Sequence, residues 1–109
     1  MTTTATHLAT TSPQARVLAQ IRTIVAEVFK NKPCTVYLFG SRATGGFTVT
    51  SDFDVAVLAG GDIGPKLSLV REKLDQSNIP FKVDVVDLGL TSAEFSRQVQ
   101  REGVVLWKN

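Results

Sequence analysis

Short apolar runs rich in β-branched residues alternate along this chain with segments whose apolar residues recur at helical spacing. That alternation confines the fold to helices layered on a sheet. Ser12 as N-cap and Pro13 in the first turn open a helical segment that carries Leu18, Ile21, Val25, Val28 and Phe29, so a helix is expected over about residues 13–30. Residues 31–33 break it, and Thr35-Val36-Tyr37-Leu38-Phe39 reads as a buried strand ending at Gly40. Residues 52–58 form a second strand, apolar after an acidic start and closed by Gly60-Gly61. Ile63, Leu67, Val70 and Leu74 mark a second helix that stops at Ser77-Asn78, and residues 81–87 follow Pro80 as a third strand. A third helix opens at Thr91 or Ser92, with Glu94 near a capping-box position and Phe95 and Val99 facing inward, and ends at Gly103. Val104 to Trp107 make a short last strand. With a possible short helix at the Gly40-Ser41 turn, the expected fold is α/β (α+β), a mixed sheet of about four strands with helices packed on it.

The chain has 109 residues, enough for one core and no second domain. A single domain is expected over residues 13–109. Residues 1–12 are almost all Thr, Ala and Ser and read as a flexible tail. Twelve basic and ten acidic residues leave a formal charge of +2, too small and too mixed to indicate direct nucleic-acid binding. Cys34 is the only cysteine, which excludes an internal disulfide, and neither a signal peptide nor a membrane span is legible; a cytoplasmic location is the default expectation.

Gly40-Ser41 directly follows a strand. A strand-to-helix turn there aims backbone N–H groups outward as a cradle for phosphate oxygens, with Gly permitting close approach and Ser adding a hydroxyl. Alone, the pair is also an everyday turn. Ten residues after Ser41 comes Asp52-Phe53-Asp54, two carboxylates on one sheet face because side chains alternate with period two. Two such charges repel unless a cation lies between them, and hard oxygen ligands of this kind suit Mg²⁺ completed by substrate phosphates. The competing view makes Asp52 a turn cap and Asp54 a solvated strand end. Asp84 interrupts the apolar run Val83-x-Val85-Val86, where a lone carboxylate is costly unless paired or metal-bound. If its strand lies beside that of Asp52, it completes a three-carboxylate cluster able to hold two metal ions. Asp87 has the wrong parity and sits near the strand end, where capping is normal, so Asp84 is preferred.

The stretch from Gly40 to Val57, GSRATGGFTVTSDFDVAV, resembles the signature of the minimal nucleotidyltransferases of the DNA polymerase β superfamily. The later KVDVVDL and REGVVLW segments are similar to that family's third-aspartate strand and C-terminal end. The resemblance implies in-line attack of an acceptor hydroxyl on the α-phosphate of a nucleoside triphosphate. Gly40 and Ser41 would hold the β- and γ-phosphates, Asp52 and Asp54 would ligate two Mg²⁺ ions, and Asp84 would ligate the ion on the attacking side. Arg42 is expected at the triphosphate or, equally, at the surface. The loop that opens with Thr44, Gly45 and Gly46 has no charged residue from Gly46 to Thr50, where members of the family often carry one. His7 has no partner in the tail, Cys34, Tyr37 and Phe39 are expected to pack, and Lys66, Arg71 and Lys73 read as a mixed solvated helix face.

The chain stops just after this core, whereas small-molecule nucleotidyltransferases add a helical substrate domain, so the acceptor site is expected from another subunit in a hetero-oligomer. The resemblance is to stand-alone domains that act as antitoxins by transferring AMP from ATP to a tyrosine of a helical HEPN toxin. Two alternatives stay open: a non-catalytic antitoxin or scaffold, and the catalytic chain of a two-chain small-molecule nucleotidyltransferase.

Overall fold

The computed structural model describes residues 12–109, and both the expected tail and His7 fall on residues outside that range. Helix α1 (Pro13–Phe29) starts where Ser12 Oγ accepts the Ala15 N–H at 3.2 Å, and it buries Val17, Ile21, Val25, Val28 and Phe29. Strand β1 (Cys34–Phe39) is followed by the four-residue helix α2 (Ser41–Thr44), then β2 (Phe53–Ala59), α3 (Gly64–Gln76) and β3 (Val83–Asp87). A 3₁₀ turn (Leu88–Leu90), helix α4 (Ala93–Glu102) and β4 (Val104–Lys108) complete the fold. Among the described residues no helix is long and apolar enough to cross a membrane.

The sheet order is β3-β2-β1-β4, with β2 antiparallel to β1, β1 antiparallel to β4, and β2 parallel to β3. The sheet is therefore mixed, as the alternation of elements required. A parallel pair needs a crossover, and α3 supplies it between β2 and β3. Each strand residue faces one of two layers. Val36, Leu38, Phe53, Val55, Val57 and Val85 pack under α1 and α3 in the larger core. Tyr37 and Ala56 turn the other way, against Leu88 and Val99, with Phe39 and Phe95 meeting edge to face at 5.6 Å between ring centroids. Cys34 is buried in the larger core, and that burial pushes its thiol pKa up against a smaller lowering by Lys32.

Local differences from the sequence reading have simple causes. Strand β3 begins at Val83 rather than at residue 81, because Phe81 packs its ring on Phe53 at 5.5 Å instead of continuing the ladder. Ser92 caps α4 by accepting the Phe95 N–H at 3.1 Å; Phe95 occupies the third helical position that a reciprocal Glu would need, so Glu94 makes no capping box. Lys73, on the expected solvated face, pairs with Glu27 of α1 at 3.0 Å, and Arg71 donates to the Val85 carbonyl on the edge strand at 2.7 Å.

Asn109 ties the last strand to the end of α1. Its backbone N–H donates to Cys34 O at 3.0 Å, and its side-chain amide lies 3.0–3.1 Å from the carbonyls of Phe29, Lys30 and Lys32, at and just after the end of α1. Two amide hydrogens serve three acceptors, so at least one is shared. Asn109→Ala is expected to lower stability by about 1 kcal/mol, measured as a shift in the urea midpoint at unchanged slope.

Candidate active site

Asp54 is the centre of the site because β2 is flanked on both sides at its start. It lies opposite Phe39 in the antiparallel ladder with β1 and opposite Asp84 in the parallel ladder with β3. Partners in register share a sheet face. Both carboxylates therefore project on the α4 side, the face of Tyr37 and Ala56. The strand adjacency that a three-carboxylate cluster requires is thus present. Asp52 stands one residue before the strand rather than inside it, but the Phe53 N–H donates to Lys82 O at 2.9 Å, so the ladder reaches the residue beside it. Asp87 sits at the other end of β3, where its side chain accepts the Gly89 N–H at 2.8 Å and caps the 3₁₀ turn.

Burial raises the pKa of Asp54, and the charges of Asp84 and then Asp52 raise it further, opposed by Lys82. Lys82 approaches Asp84 at 3.7 Å, with both side chains largely in solvent. Sequence reading did not single out Lys82, although its offset of two from Asp84 along an extended chain was the available signal. A carboxyl group whose pKa is raised by folding stabilises the protein fully below its unfolded pKa, and that contribution is lost as pH rises through the folded value. Metal-free protein is accordingly expected to gain stability from Asp54 as pH falls from neutrality toward the ordinary carboxylate range. Subtracting the melting profile of Asp54→Asn in chelator from that of wild type isolates this contribution from the other carboxylates.

Gly40 makes the turn against Asp54. Its φ of 74° with ψ of −158° is a conformation L side chains avoid, and a Cβ there would lie 2.5 Å from Asp54 Oδ2. The absence of a side chain at position 40 is what lets β1 hand over to α2 directly beside the carboxylate. In α2 the Ala43 and Thr44 N–H groups donate to Gly40 O at 3.0 and 3.2 Å, and those of Ser41 and Arg42 have no intrahelical acceptor. Gly45, at φ 91°, closes α2 with its N–H on Ser41 O at 3.1 Å. Two open clefts flank this point. One of about 240 Å³ borders Gly40, Thr44, Phe39 and Phe95, and one of about 420 Å³ borders Asp54, Asp84, Arg71 and Asp75.

Arg42 departs from both expectations for it. It is neither at the surface nor turned to the phosphate turn, but only 5% exposed, with its guanidinium donating to backbone carbonyls of the 45–52 loop. The physical reason is that three aromatic rings, Phe47, Phe53 and Phe81, surround the guanidinium and offer it a buried site.

The donor set fits a hard divalent cation only in part. Among the described residues no three acidic, His or Cys side chains converge on one point as they stand. Yet two in-register carboxylates and a third close enough to raise the pKa of Asp54 carry a repulsion that a cation relieves, and Mg²⁺ is commonly held by one or two carboxylates with substrate oxygens making up the rest. Lys82 offsets part of that repulsion at Asp54.

The profile of the family described as Polymerase beta, Nucleotidyltransferase matches residues 20–109. A Haemophilus influenzae relative named Probable protein adenylyltransferase MntA is 31% identical over 93 residues, covering 82% of this chain and 77% of that protein. Among solved structures, a toxin–antitoxin complex with AMP-PNP contains a chain with a TM-score of 0.63 at 29% identity, covering 81% of this chain and 73% of that one. A complex of tri-AMPylated Shewanella oneidensis HEPN toxin with MNT antitoxin gives a TM-score of 0.58 at 26% identity, covering 84% and 73%. With Gly40 packed against Asp54, and Asp54 in register with Asp84, this chain belongs to the polymerase β family of nucleotidyltransferases.

Proposed function

We propose that this protein is an adenylyltransferase antitoxin that transfers AMP from ATP to a tyrosine hydroxyl of a helical HEPN-type toxin, with the α–β phosphoanhydride bond broken and pyrophosphate released. The observation that carries the proposal is the parallel register of Asp54 with Asp84 immediately beside Gly40, in a chain of the polymerase β family. Support for the substrate and partner comes from relatives: one is named a protein adenylyltransferase, one structure holds AMP-PNP, and one pairs an MNT antitoxin with an AMPylated HEPN toxin.

In this proposal Gly40 and Ser41 hold the β- and γ-phosphates, the first through backbone approach and the second through its N–H and hydroxyl. Asp52, Asp54 and Asp84 hold two Mg²⁺ ions with the triphosphate. Bound there, the ions supply charge neutralisation at the reacting phosphate and lower the pKa of the acceptor hydroxyl. Asp84, at the sheet edge, lies on the side from which the acceptor enters, and the cleft it shares with Asp54 leaves room for an incoming side chain. The protein's own part in catalysis is positioning: β2 fixes the spacing of Asp54 from Asp84, and the Gly40 turn fixes the phosphates against both.

The experiment combines the purified chain, ATP labelled at the α-phosphate, Mg²⁺ and the co-purifying helical protein. Label is expected on a tyrosine of that protein, with its mass rising by AMP units. Absence of transfer, with ATP bound and the partner present, would overturn the proposal; label appearing on aminoglycosides or amino sugars instead would make the chain a small-molecule enzyme.

A further inference from the structure

Arg42 is a buried cation with no carboxylate within ion-pair distance among the described residues, an arrangement that is costly unless hydrogen bonds and ring faces compensate it. Here they do. Nη2 and Nε donate to the Ser51 carbonyl at 2.9 and 3.2 Å, Nη1 donates to Gln14 Oε1 of α1 at 3.2 Å, and the guanidinium carbon lies 4.2 Å from the Phe53 ring centroid and 4.6 Å from that of Phe47. Ser51 is the residue before Asp52. Arg42 is in α2, two residues after Gly40. One side chain therefore spans the two halves of the site across a loop that the sheet ladders do not otherwise hold.

We infer that Arg42 is a positioning residue that fixes Asp52 relative to the Gly40-Ser41 turn through the Ser51 carbonyl, and that it makes no contact with the triphosphate. The inference rests on the proposed role of Asp52 as a metal ligand. A loop of this length and composition, with Gly45 and Gly46 at its start, samples many conformations when untethered. Clamping the carbonyl before Asp52 removes much of that freedom ahead of metal binding. Lys is not equivalent, because an ammonium cannot direct two parallel donors at one carbonyl while lying flat between rings.

The test measures metal and nucleotide separately and needs neither the partner nor turnover, so it stands apart from the question of what the acceptor is. Mn²⁺ binding to the nucleotide-free chain is followed by the loss of the free-ion electron paramagnetic resonance signal, and ATP binding by calorimetry at saturating Mn²⁺. Arg42→Lys is expected to weaken Mn²⁺ binding about tenfold and to change ATP affinity less than about threefold, with melting still cooperative. Unchanged Mn²⁺ affinity overturns the inference, whatever happens to ATP; a tenfold loss of ATP affinity with Mn²⁺ binding intact assigns Arg42 to the triphosphate instead. If Arg42→Lys does not fold, Gln14→Leu, which removes only the Nη1 contact, is measured in the same way. It is expected to weaken Mn²⁺ binding about threefold, and no change there also overturns the inference.

Discussion

Asp54→Asn is expected to lower adenylyl transfer by about 10³-fold or more while raising the melting temperature of the metal-free protein. The two effects have one cause. Asp54 stands between neighbours, with Asp84 in register on one side and Asp52 two residues back, and burial together with those charges makes its ionised form unfavourable. In chelator, Asn keeps the shape and removes the repulsion, so the fold gains. With substrate and Mg²⁺, the same charge is needed to draw the cation to the triphosphate, and a neutral amide oxygen is a much weaker ligand for a hard ion. Transfer measured with labelled ATP and thermal melting in chelator check the two halves independently. A transfer rate within tenfold of wild type would remove Asp54 from the centre of the reaction, and a lower metal-free melting temperature would show that its charge is compensated by something other than a cation.

Gly40→Ala is expected to lower transfer about 10²-fold and stability by about 1–3 kcal/mol. Two penalties add. The backbone at position 40 has a φ of 74°, which costs an L residue, and the new methyl would stand 2.5 Å from Asp54 Oδ2, far inside van der Waals contact. Either the Asp54 carboxylate swings away or the turn opens. Both separate the phosphate turn from the acidic residues. Comparison with Gly45→Ala isolates the steric part, because Gly45 also has positive φ, at 91°, but a Cβ there meets nothing within 4 Å. Gly45→Ala is expected to lose stability to backbone strain while keeping most of its transfer rate; equal loss of transfer in both variants would mean that contact with Asp54 is not what Gly40 protects.

The element order, the mixed sheet and the strand positions of Asp54 and Asp84 were legible in the amino-acid sequence, because they follow from local patterns. Helical spacing over Ile21, Val25 and Phe29, period-two alternation around Asp54, and an acidic residue out of place at Asp84 each depend on only a few neighbouring residues. That Asp87 stands on the opposite strand face from Asp84 was legible for the same reason, because side chains alternate along one strand. The edges of elements were less so. Phe81 left the ladder to pack on Phe53, a partner 28 positions away in sequence (81 − 53), and Ser92 found Phe95 rather than Glu94 at its third helical position.

Tertiary structure alone decided what the residues between the patterns do. That Asp54 faces Asp84 depends on β3 joining the sheet beside β2, a pairing separated by a whole helix and set by burial of that helix's apolar side. That Gly40 must lack a side chain depends on how closely β1 brings it to Asp54. Arg42 shows the limit most clearly. Beside a phosphate turn, a cation reads locally as an anion ligand, but three rings drawn from separate places in the chain, at Phe47, Phe53 and Phe81, enclose it and turn its donors to Ser51. The sequence by itself determined which groups bear charge and on which strand face they stand. Which charges meet, and which are buried away from the substrate, was decided by packing, because desolvation and distance act between residues that only the folded chain brings together.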